Sequence, residues 1–390
     1  MSNSSLFETV RRSAADIFSE EGLKRRFACG KPQKIKFGAD PSRPDLHLGH
    51  SVPLRILRKL QEAGHEIIFV IGDFTGMIGD PSGRSKTRMP LSFEETRQNG
   101  KSYFEQVTKI LIPGKARITY NSEWLSALNF KDILNLSGKY TLARIMERDD
   151  FANRYSANKP VGLHELLYPL MQGYDSIALN ADIEAGGTDQ TFNMLAGREL
   201  QKNYGQTPQE VITFPLLPGL DGINKMSKSL DNYIGIDEAA DAVFKKCMKV
   251  PDNILPVYFQ LTTDFPENEY IKIINSDIRQ AHFSYAREIV RMYHGEDSVL
   301  HAEECYRSIA RGRAPDSINR YTIEKTEESI VKILIFAGLA STNSEARRLI
   351  KEGGIKKDGR TIEDFNLIIQ DDCIISRGKN KFVQIHFSRD

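Results

Sequence analysis

Lys34-Ile-Lys-Phe37 begins the stretch that decides the fold, and Gly38-Ala-Asp-Pro-Ser42, His47-Leu-Gly-His50 and Ile67-Ile-Phe-Val-Ile71 complete it. The first segment alternates charged and apolar side chains, which predicts a strand. The glycine, prolines and aspartates after it predict a tight loop, and leucines at helical spacing predict a helix over 48–63. The branched apolar run is typical of a parallel strand buried on both faces. Together these segments predict a right-handed strand-helix-strand unit.

The same pattern recurs further along the chain. Ala181-Asp-Ile-Glu184 leads into Gly186-Gly187 and a helical segment from Thr188 to Leu200, and Glu210-Val-Ile-Thr-Phe214 is another short apolar run. Repeated strand-helix alternation predicts an α/β fold with a Rossmann-like, doubly wound parallel sheet.

Such a sheet binds ligands beyond the carboxyl ends of its strands. We therefore expect the loops after Phe37, Ile71, Ile183 and Phe214 to converge on one crevice.

Two further regions follow the sheet. Residues 237–320 are charged and helical, and the polar segment Arg311-Gly-Arg-Ala-Pro-Asp-Ser317 indicates a boundary. Beyond it we predict a helix over 329–336, a second helix that begins at Ser341 or Ser344, and short strands. The expected domains are 1–236, 237–320 and 326–390.

Length and composition limit the class of protein. A chain of 390 residues suggests two to three domains at about 150 residues each. Its net charge of +1 gives no global attraction to nucleic acid or membranes. The four cysteines form no C-x-x-C pair, which favours reduced thiols in the cytoplasm. No apolar run approaches the roughly 20 residues that span a bilayer, and the N-terminus lacks a signal-peptide pattern.

Two segments combine residues suited to phosphate chemistry. His47 and His50 flank the predicted start of a helix, where amide groups and Gly49 favour an anion, although helix-entry histidines or a metal pair would give the same pattern. Lys225-Met-Ser-Lys-Ser229 places two ammonium groups on a loop, which suits a pyrophosphate leaving group, although most such loops are only solvated. No third ligand at suitable spacing supports a metal site.

In this order, the two segments resemble the signatures of class I aminoacyl-tRNA synthetases. Three further stretches are similar to bacterial-type tyrosyl-tRNA synthetases, and the resemblance covers nearly the whole chain. They are Gly79-Asp-Pro-Ser-Gly83, Tyr168-Pro-Leu-Met-Gln-Gly-Tyr-Asp175 and Gly186-Gly-Thr-Asp-Gln190, in addition to Gly38-Ala-Asp-Pro-Ser42.

The resemblance implies that the chain joins L-tyrosine to tRNA(Tyr), with ATP as substrate and Mg²⁺ bound mainly through the ATP phosphates. Helical spacing puts Tyr168, Gln172 and Asp175 on one face, and the family implies that Asp175 binds the substrate phenol. A site that binds the hydroxyl of its substrate prefers tyrosine over phenylalanine by a factor of roughly 10⁴ to 10⁵, a value known from tyrosyl-tRNA synthetases.

The resemblance also assigns the remaining site residues. Tyrosine is expected to contact Asp80, Tyr168, Gln172, Asp175 and Gln190. ATP is expected to contact Gly38, Asp40, His47, Gly49, His50, Asp189, Met226 and Lys228. The expected catalytic residues are His47, His50, Lys225, Lys228, Ser42, Arg84 and Arg88.

Two positions depart from simple patterns. Where this chain has Lys36, many family members carry a tyrosine that is a second hydrogen-bond partner of the substrate phenol. We do not include Lys36 among the predicted site residues, because a strand lysine can point to solvent.

The segment Gly83-Arg-Ser-Lys-Thr-Arg88 partly mimics a P-loop, but the required earlier glycine would fall at Ile78. We interpret it as a cationic loop over the triphosphate, with a solvated basic loop as the alternative.

The C-terminal region is similar to an S4-like α+β RNA-binding domain. Its basic helix and following turn suit tRNA phosphates, although a solvated helix face would have the same charge. The expected tRNA contacts are Arg347, Arg348, Lys351 and Lys356. The family also implies a homodimer interface in an insertion at about 100–165.

Two other functions share parts of this pattern. A tryptophanyl enzyme has the same fold and signatures, but Asp175 and the RNA-binding tail argue against it. A protein that only binds structured RNA would not need His47, His50, Lys225 and Lys228.

Overall fold

Two compact units make up the chain in a computed structural model that describes residues 3–40, 46–80, 93–310, 319–325, 327–378 and 381–388. The first unit comprises Met1–Glu238 and Lys249–His282, and the second comprises Ala239–Met248 and Phe283–Asp390.

The first unit is built on a six-stranded sheet. Its strands are β1 (Asp16–Phe18), β2 (Lys34–Ala39), β3 (Glu66–Ile71), β4 (Ala116–Tyr120), β5 (Ile183–Gly187) and β6 (Glu210–Phe214). In space they follow the order β1-β6-β5-β2-β3-β4. Strands β2 to β6 are parallel, which confirms the predicted sheet, and the short β1 adds an antiparallel edge. The chain order reverses between β2 and β5, which is the switch point where such sheets bind ligands.

Helices cover both faces of this sheet and form an insertion between β4 and β5. Those up to β6 are α1 (Asn3–Ser13), α2 (Glu20–Ala28), α3 (Leu48–Glu62), α4 (Thr75–Ile78), α5 (Phe93–Val107), α6 (Ser122–Leu125), α7 (Phe130–Ser137), α8 (Leu142–Ile145), α9 (Asp149–Ser156), α10 (Leu163–Leu179) and α11 (Thr191–Asn203). After β6 come α12 (Ala240–Cys247), α13 (Leu255–Thr262), α14 (Glu267–Ser276), α15 (Ile278–His294) and α16 (Asp297–Ala310). Of these, α13, α14 and the start of α15 belong to the first unit, and the others belong to the second.

Helix α3 forms where the leucine spacing predicts it. Leu54, Leu57 and Leu60 are fully buried on one face. His47 caps its first turn, and Gly64 ends the segment with a φ of 93°, a backbone conformation that glycine adopts without strain.

Helices α10 and α11 pack closely because glycines face each other. A Cβ on Gly173 would lie 3.1 Å from the Gly197 Cα. This contact brings α10 against the sheet at the carboxyl ends of β2 and β5.

The second unit contains the C-terminal α+β region. Its elements are β7 (Asn319–Ile323), β8 (Glu328–Ser329), α17 (Ile330–Phe336), α18 (Asn343–Lys351), β9 (Ile355–Lys357), β10 (Arg360–Thr361), β11 (Ile368–Ile369), β12 (Cys373–Arg377) and β13 (Lys381–Phe387). Five strands pair in the order β10-β9-β12-β13-β7, so the sheet begins before residue 326. The cap of α18 is Thr342, not the expected Ser341 or Ser344, because its side chain accepts a hydrogen bond from the amide of Glu345.

Candidate active site

One cleft of about 590 Å³ lies at the carboxyl ends of the parallel strands. Ala39, Gly72, Gly187 and Pro215, which lie at or just beyond the ends of β2, β3, β5 and β6, all line it. The expected convergence of the four loops is confirmed. The volume is within the usual range for a small-molecule site.

Most of the predicted site residues meet in this cleft. Its lining includes Gly38, Asp40, His47, Gly49, His50, Asp80, Tyr168, Gln172, Asp175, Asp189, Gln190, Lys225, Met226 and Lys228. Ser42, Arg84 and Arg88 lie outside the described residues.

The paired histidines lie in contact at the start of α3, with ring centroids 3.9 Å apart and ring planes tilted by 40°. His47 Nδ1 accepts a hydrogen bond from the backbone amide of Gly49 at 3.2 Å, and His50 Nδ1 accepts one from the backbone amide of His47 at 3.2 Å. Burial and nearby Lys228 lower the pKa of His50 to about 4, and burial lowers the pKa of His47 well below its usual value. Both rings are therefore neutral at pH 7. Since each Nδ1 accepts, each Nε2 carries the proton and can donate to a ligand oxygen.

The lysine loop also lines this cleft and is held by contacts with neighbouring side chains. Lys225 Nζ lies 2.8 Å from Asp189 Oδ2, and Lys228 Nζ lies 5.5 Å from the ring centroid of Tyr233. Asn232 stabilises the loop. Its side chain accepts a hydrogen bond from the backbone amide of Ser227 at 2.7 Å and donates one to the Lys225 carbonyl at 3.2 Å. Two cations thus border a cleft that also contains neutral imidazole donors.

The other end of the cleft contains a buried carboxylate. Asp175 on α10 is 3% exposed. Its Oδ1 accepts a hydrogen bond from Trp124 Nε1 at 2.8 Å, and its Oδ2 lies 3.4 Å from Asn121 Nδ2. Burial raises the pKa of Asp175 to about 7, against the opposing effect of Lys36.

One helical turn before Gln172, Tyr168 donates from its hydroxyl to Asp40 Oδ2 at 2.9 Å. Burial raises the pKa of Tyr168 well above its usual value, so the phenol is neutral. Thr75 donates to the other oxygen of Asp40 at 2.8 Å. These bonds connect the end of β2 to both α10 and α4.

Asp80 is bound by groups from two other elements. Gln190 Nε2 donates to its Oδ2 at 2.7 Å, and Arg148 Nη2 lies 3.7 Å from its Oδ1. Asn193 Nδ2 lies 3.0 Å from the side-chain oxygens of both Gln172 and Gln190. Asp80, Gln190, Asn193 and Gln172 are therefore joined by consecutive hydrogen bonds along this wall of the cleft.

Lys36 is fully buried, so the expectation that it points to solvent is wrong. Its ammonium group lies 3.0 Å from Glu184 Oε1. Sequence reasoning missed this pair, although opposite charges in two strands of a predicted parallel sheet, whose central strands are usually buried on both faces, were an available signal. It also missed Asn121, Trp124 and Asn193, which carry no pattern of their own.

The basic residues expected to bind tRNA lie in the second unit. Arg347, Arg348 and Lys351 are exposed on α18, and Lys356 is exposed on β9. Arg348 lies 3.4 Å from Glu352, and the guanidinium of Arg347 lies 5.6 Å from the ring centroid of Phe365.

Two features are absent from the described part of the chain. None of its helices is both long and apolar enough to cross a bilayer. Nor do its His, Cys, Asp and Glu side chains form a group of three or more suited to a metal ion. All four cysteines are free thiols.

A Rossmann-type sheet with paired histidines and a lysine loop beside its switch point defines the site of a class I aminoacyl-tRNA synthetase. The family model "tRNA synthetases class I (W and Y)" matches residues 29–310, and a "Tyrosine--tRNA ligase SYY-like C-terminal domain" model matches residues 309–385. This chain belongs to the class I (W and Y) tRNA synthetase family.

Similar relatives span nearly the whole chain. The Tyrosine–tRNA ligase of Deinococcus radiodurans is 49% identical, with 97% of this chain and 95% of the relative covered. That of Geobacter sulfurreducens is 47% identical, with 97% and 98% covered. In fold, the tyrosyl-tRNA synthetase of Archaeoglobus fulgidus crystallised with L-tyrosine matches with a TM-score of 0.65 at 22% identity, covering 77% of this chain and all of that one.

Proposed function

We propose that the chain is a tyrosine–tRNA ligase, which activates L-tyrosine with ATP and then transfers the tyrosyl group to the 3′ end of tRNA(Tyr). The observation that carries this proposal is the buried Asp175 carboxylate in the same cleft as the paired histidines and the lysine loop. An acceptor at the closed end of a small-molecule cleft suits a hydroxylated amino acid.

In the proposed complex the phenol hydroxyl of tyrosine donates to Asp175. The ammonium group lies near Asp80, Tyr168 and Gln172, with Gln190 completing this subsite. Hydrogen bonds from Tyr168 to Asp40, from Gln190 to Asp80 and from Asn193 to Gln172 support the assignment, since they orient these side chains before the substrate binds.

ATP occupies the other end of the proposed site. His47 and His50 donate from Nε2 to phosphate oxygens, and Gly38 and Gly49 leave room for close approach. Asp40, Asp189 and Met226 contact the nucleoside or the adenylate. Mg²⁺ is carried mainly by the ATP phosphates, where its positive charge supports departure of pyrophosphate.

The proposed reaction uses no protein nucleophile. The tyrosine carboxylate attacks the α-phosphate, and pyrophosphate leaves toward Lys225 and Lys228. A ribose hydroxyl of the tRNA then attacks the tyrosyl carbonyl and AMP leaves. Ser42, Arg84 and Arg88 are proposed to assist this reaction. Each is close in sequence to a residue that lines the cleft, Asp40 or Asp80. The protein contributes positioning and electrostatic stabilisation.

The proposed domains are a catalytic domain at 1–236, a helical tRNA-contacting domain at 237–320 and an RNA-binding domain at 326–390. In the last, Arg347, Arg348, Lys351 and Lys356 bind tRNA phosphates. The exposed basic residues of α18 support this assignment.

We further propose a homodimer that works in the cytoplasm. The insertion at about 100–165 carries large apolar side chains that are more than half exposed, which supports its role as an interface. They are Phe130, Leu134, Leu142, Tyr155 and Leu163. Free thiols and the substrates ATP and tRNA support the compartment.

Pyrophosphate exchange into ATP tests the activation step with tyrosine, with tryptophan and with no amino acid. We expect exchange that depends on tyrosine. Exchange driven by tryptophan would instead identify a tryptophanyl enzyme, and exchange with neither amino acid would favour a protein that only binds RNA.

A further inference from the structure

Two opposite charges lie side by side beneath the proposed tyrosine subsite. Lys36 and Glu184 are register partners on β2 and β5, and their side chains are 0% and 2% exposed. Desolvation of a buried ion pair commonly costs as much as its attraction returns. A pair at this place therefore calls for a role beyond stability.

Apart from a hydrogen bond from Gln209 to Glu184, the other contacts of the pair converge on α10. Lys36 Nζ donates to Ser176 Oγ at 2.8 Å and to the Gln172 carbonyl at 2.9 Å, so with Glu184 it has three acceptors. Glu184 accepts from Gln172 Nε2 at 3.3 Å and from Ser176 Oγ at 3.1 Å. Gln172 and Ser176 are one helical turn apart, and Asp175 lies between them.

We propose that the Lys36–Glu184 pair positions the tyrosine subsite by fixing the turn of α10 that carries Asp175. The charge of Lys36 in addition favours the carboxylate form of Asp175, which accepts the phenol. This inference rests on the proposed function, in which Asp175 binds that hydroxyl. The pair itself touches no substrate, so both members are positioning residues.

The charges around Asp175 predict the direction in which each variant shifts the pKa of its carboxyl group. Burial raises its pKa to about 7, while Lys36 from β2 lowers it, Glu184 from β5 raises it, and hydrogen bonds from Trp124 and Asn121 lower it. From α10 itself the titratable neighbour is Tyr168, which stays neutral.

Above about pH 7 the carboxylate dominates, so the KM for tyrosine should fall as pH rises from 6 to 8. Neutralising Lys36 should move this transition to higher pH. Neutralising Glu184 should move it to lower pH.

The test is the KM for tyrosine in pyrophosphate exchange between pH 6 and 8.5. Lys36→Met, Glu184→Gln and the double variant are compared with Glu199→Gln, which removes an exposed carboxylate on α11. A neighbouring charge shifts a pKa by about one unit, so Lys36→Met should raise KM at low pH about tenfold. Glu184→Gln should shift the midpoint the other way, and Glu199→Gln should not shift it.

Phenylalanine provides a second readout because it has no hydroxyl. Because phenylalanine leaves the ionised carboxylate unpaired, its KM should not fall as pH rises in any variant, whereas a purely structural defect would change both substrates alike. If Lys36→Met does not fold, judged by circular dichroism, Glu184→Gln and the double variant carry the test.

Unshifted midpoints in folded variants, or parallel changes for phenylalanine, would overturn the inference. Absence of tyrosine-dependent exchange in the wild-type protein would instead refute the proposed function.

Discussion

At the scale of single residues, Asp175 determines which amino acid the proposed site accepts. Its two oxygens already accept from Trp124 and Asn121, which orient the carboxylate toward the remaining space in the cleft. A tyrosine hydroxyl can donate to it, whereas phenylalanine would leave a buried polar group unpaired.

Asp175→Ala should therefore raise the KM for tyrosine and reduce the preference for tyrosine over phenylalanine. A lost hydrogen bond to a charged group corresponds to about 1.5–3 kcal/mol, or roughly 10- to 150-fold in kcat/KM. The measurement is exchange with each amino acid, with Glu199→Gln as the control. Unchanged selectivity would show that the phenol is held elsewhere.

Lys225 should act on the transition state and not on tyrosine. Its ammonium contacts Asp189, which is proposed to bind the nucleotide, and not the Asp175 carboxylate proposed to bind the phenol. Lys225→Ala should slow adenylate formation by about 10²-fold, a loss typical of one electrostatic donor, and leave tyrosine affinity nearly intact. Single-turnover kinetics and equilibrium binding separate the two effects, and exposed Lys202→Ala is the control. A large loss of tyrosine binding would contradict the assignment to pyrophosphate.

At the scale of elements, the contact between α10 and α11 sets the position of the proposed tyrosine subsite. Gly173→Ala would gain about 1 kcal/mol in helix propensity. However, the new methyl would lie 2.8 Å from Leu200 Cδ1 and close to the backbone of Gly197. Such overpacking costs about 1–3 kcal/mol.

Thermal unfolding should therefore show a lower Tm for Gly173→Ala, together with a higher KM for tyrosine. Exposed Ala178→Gly on the same helix controls for propensity alone and should leave KM unchanged. A Tm above that of the wild-type protein would mean that α10 and α11 are not packed this closely.

Helix α18 should serve the second reaction only. Reversing the charge of both Arg347 and Arg348 should raise the KM for tRNA about tenfold and weaken its salt dependence, because phosphate contacts release counterions. Pyrophosphate exchange should not change. The control is Lys332→Glu on exposed α17 surface, and equal effects of both changes would remove α18 from the tRNA site.

At the scale of the whole molecule, the apolar surface of the insertion should be covered by a second copy. Phe130 and Leu134 are one turn apart on α7 and are 76% and 57% exposed. Changing both to Asp should convert a dimer into a monomer in sedimentation equilibrium. A wild-type protein that is monomeric at micromolar concentration would contradict the proposal.

Sequence patterns predict the parallel sheet and its crevice because apolar runs, glycine-rich loops and helical spacing are local features. The environment of Lys36 depends on Glu184, which is distant in the chain and adjacent only after β2 and β5 pair. The three-residue β1 is too short for a periodic signal, and its partner β6 lies far along the chain. A net charge of +1 likewise hides cationic segments that face proposed phosphate sites.

Esterification of tRNA tests the central claim most directly. The wild-type chain is incubated with ATP, Mg²⁺ and labelled tyrosine or tryptophan, together with tRNA(Tyr) or tRNA(Trp). We predict that only tyrosine becomes attached, and only to tRNA(Tyr). Attachment of tryptophan, or tyrosine-dependent exchange with no label transferred to tRNA(Tyr), would contradict the assignment as a tyrosine–tRNA ligase.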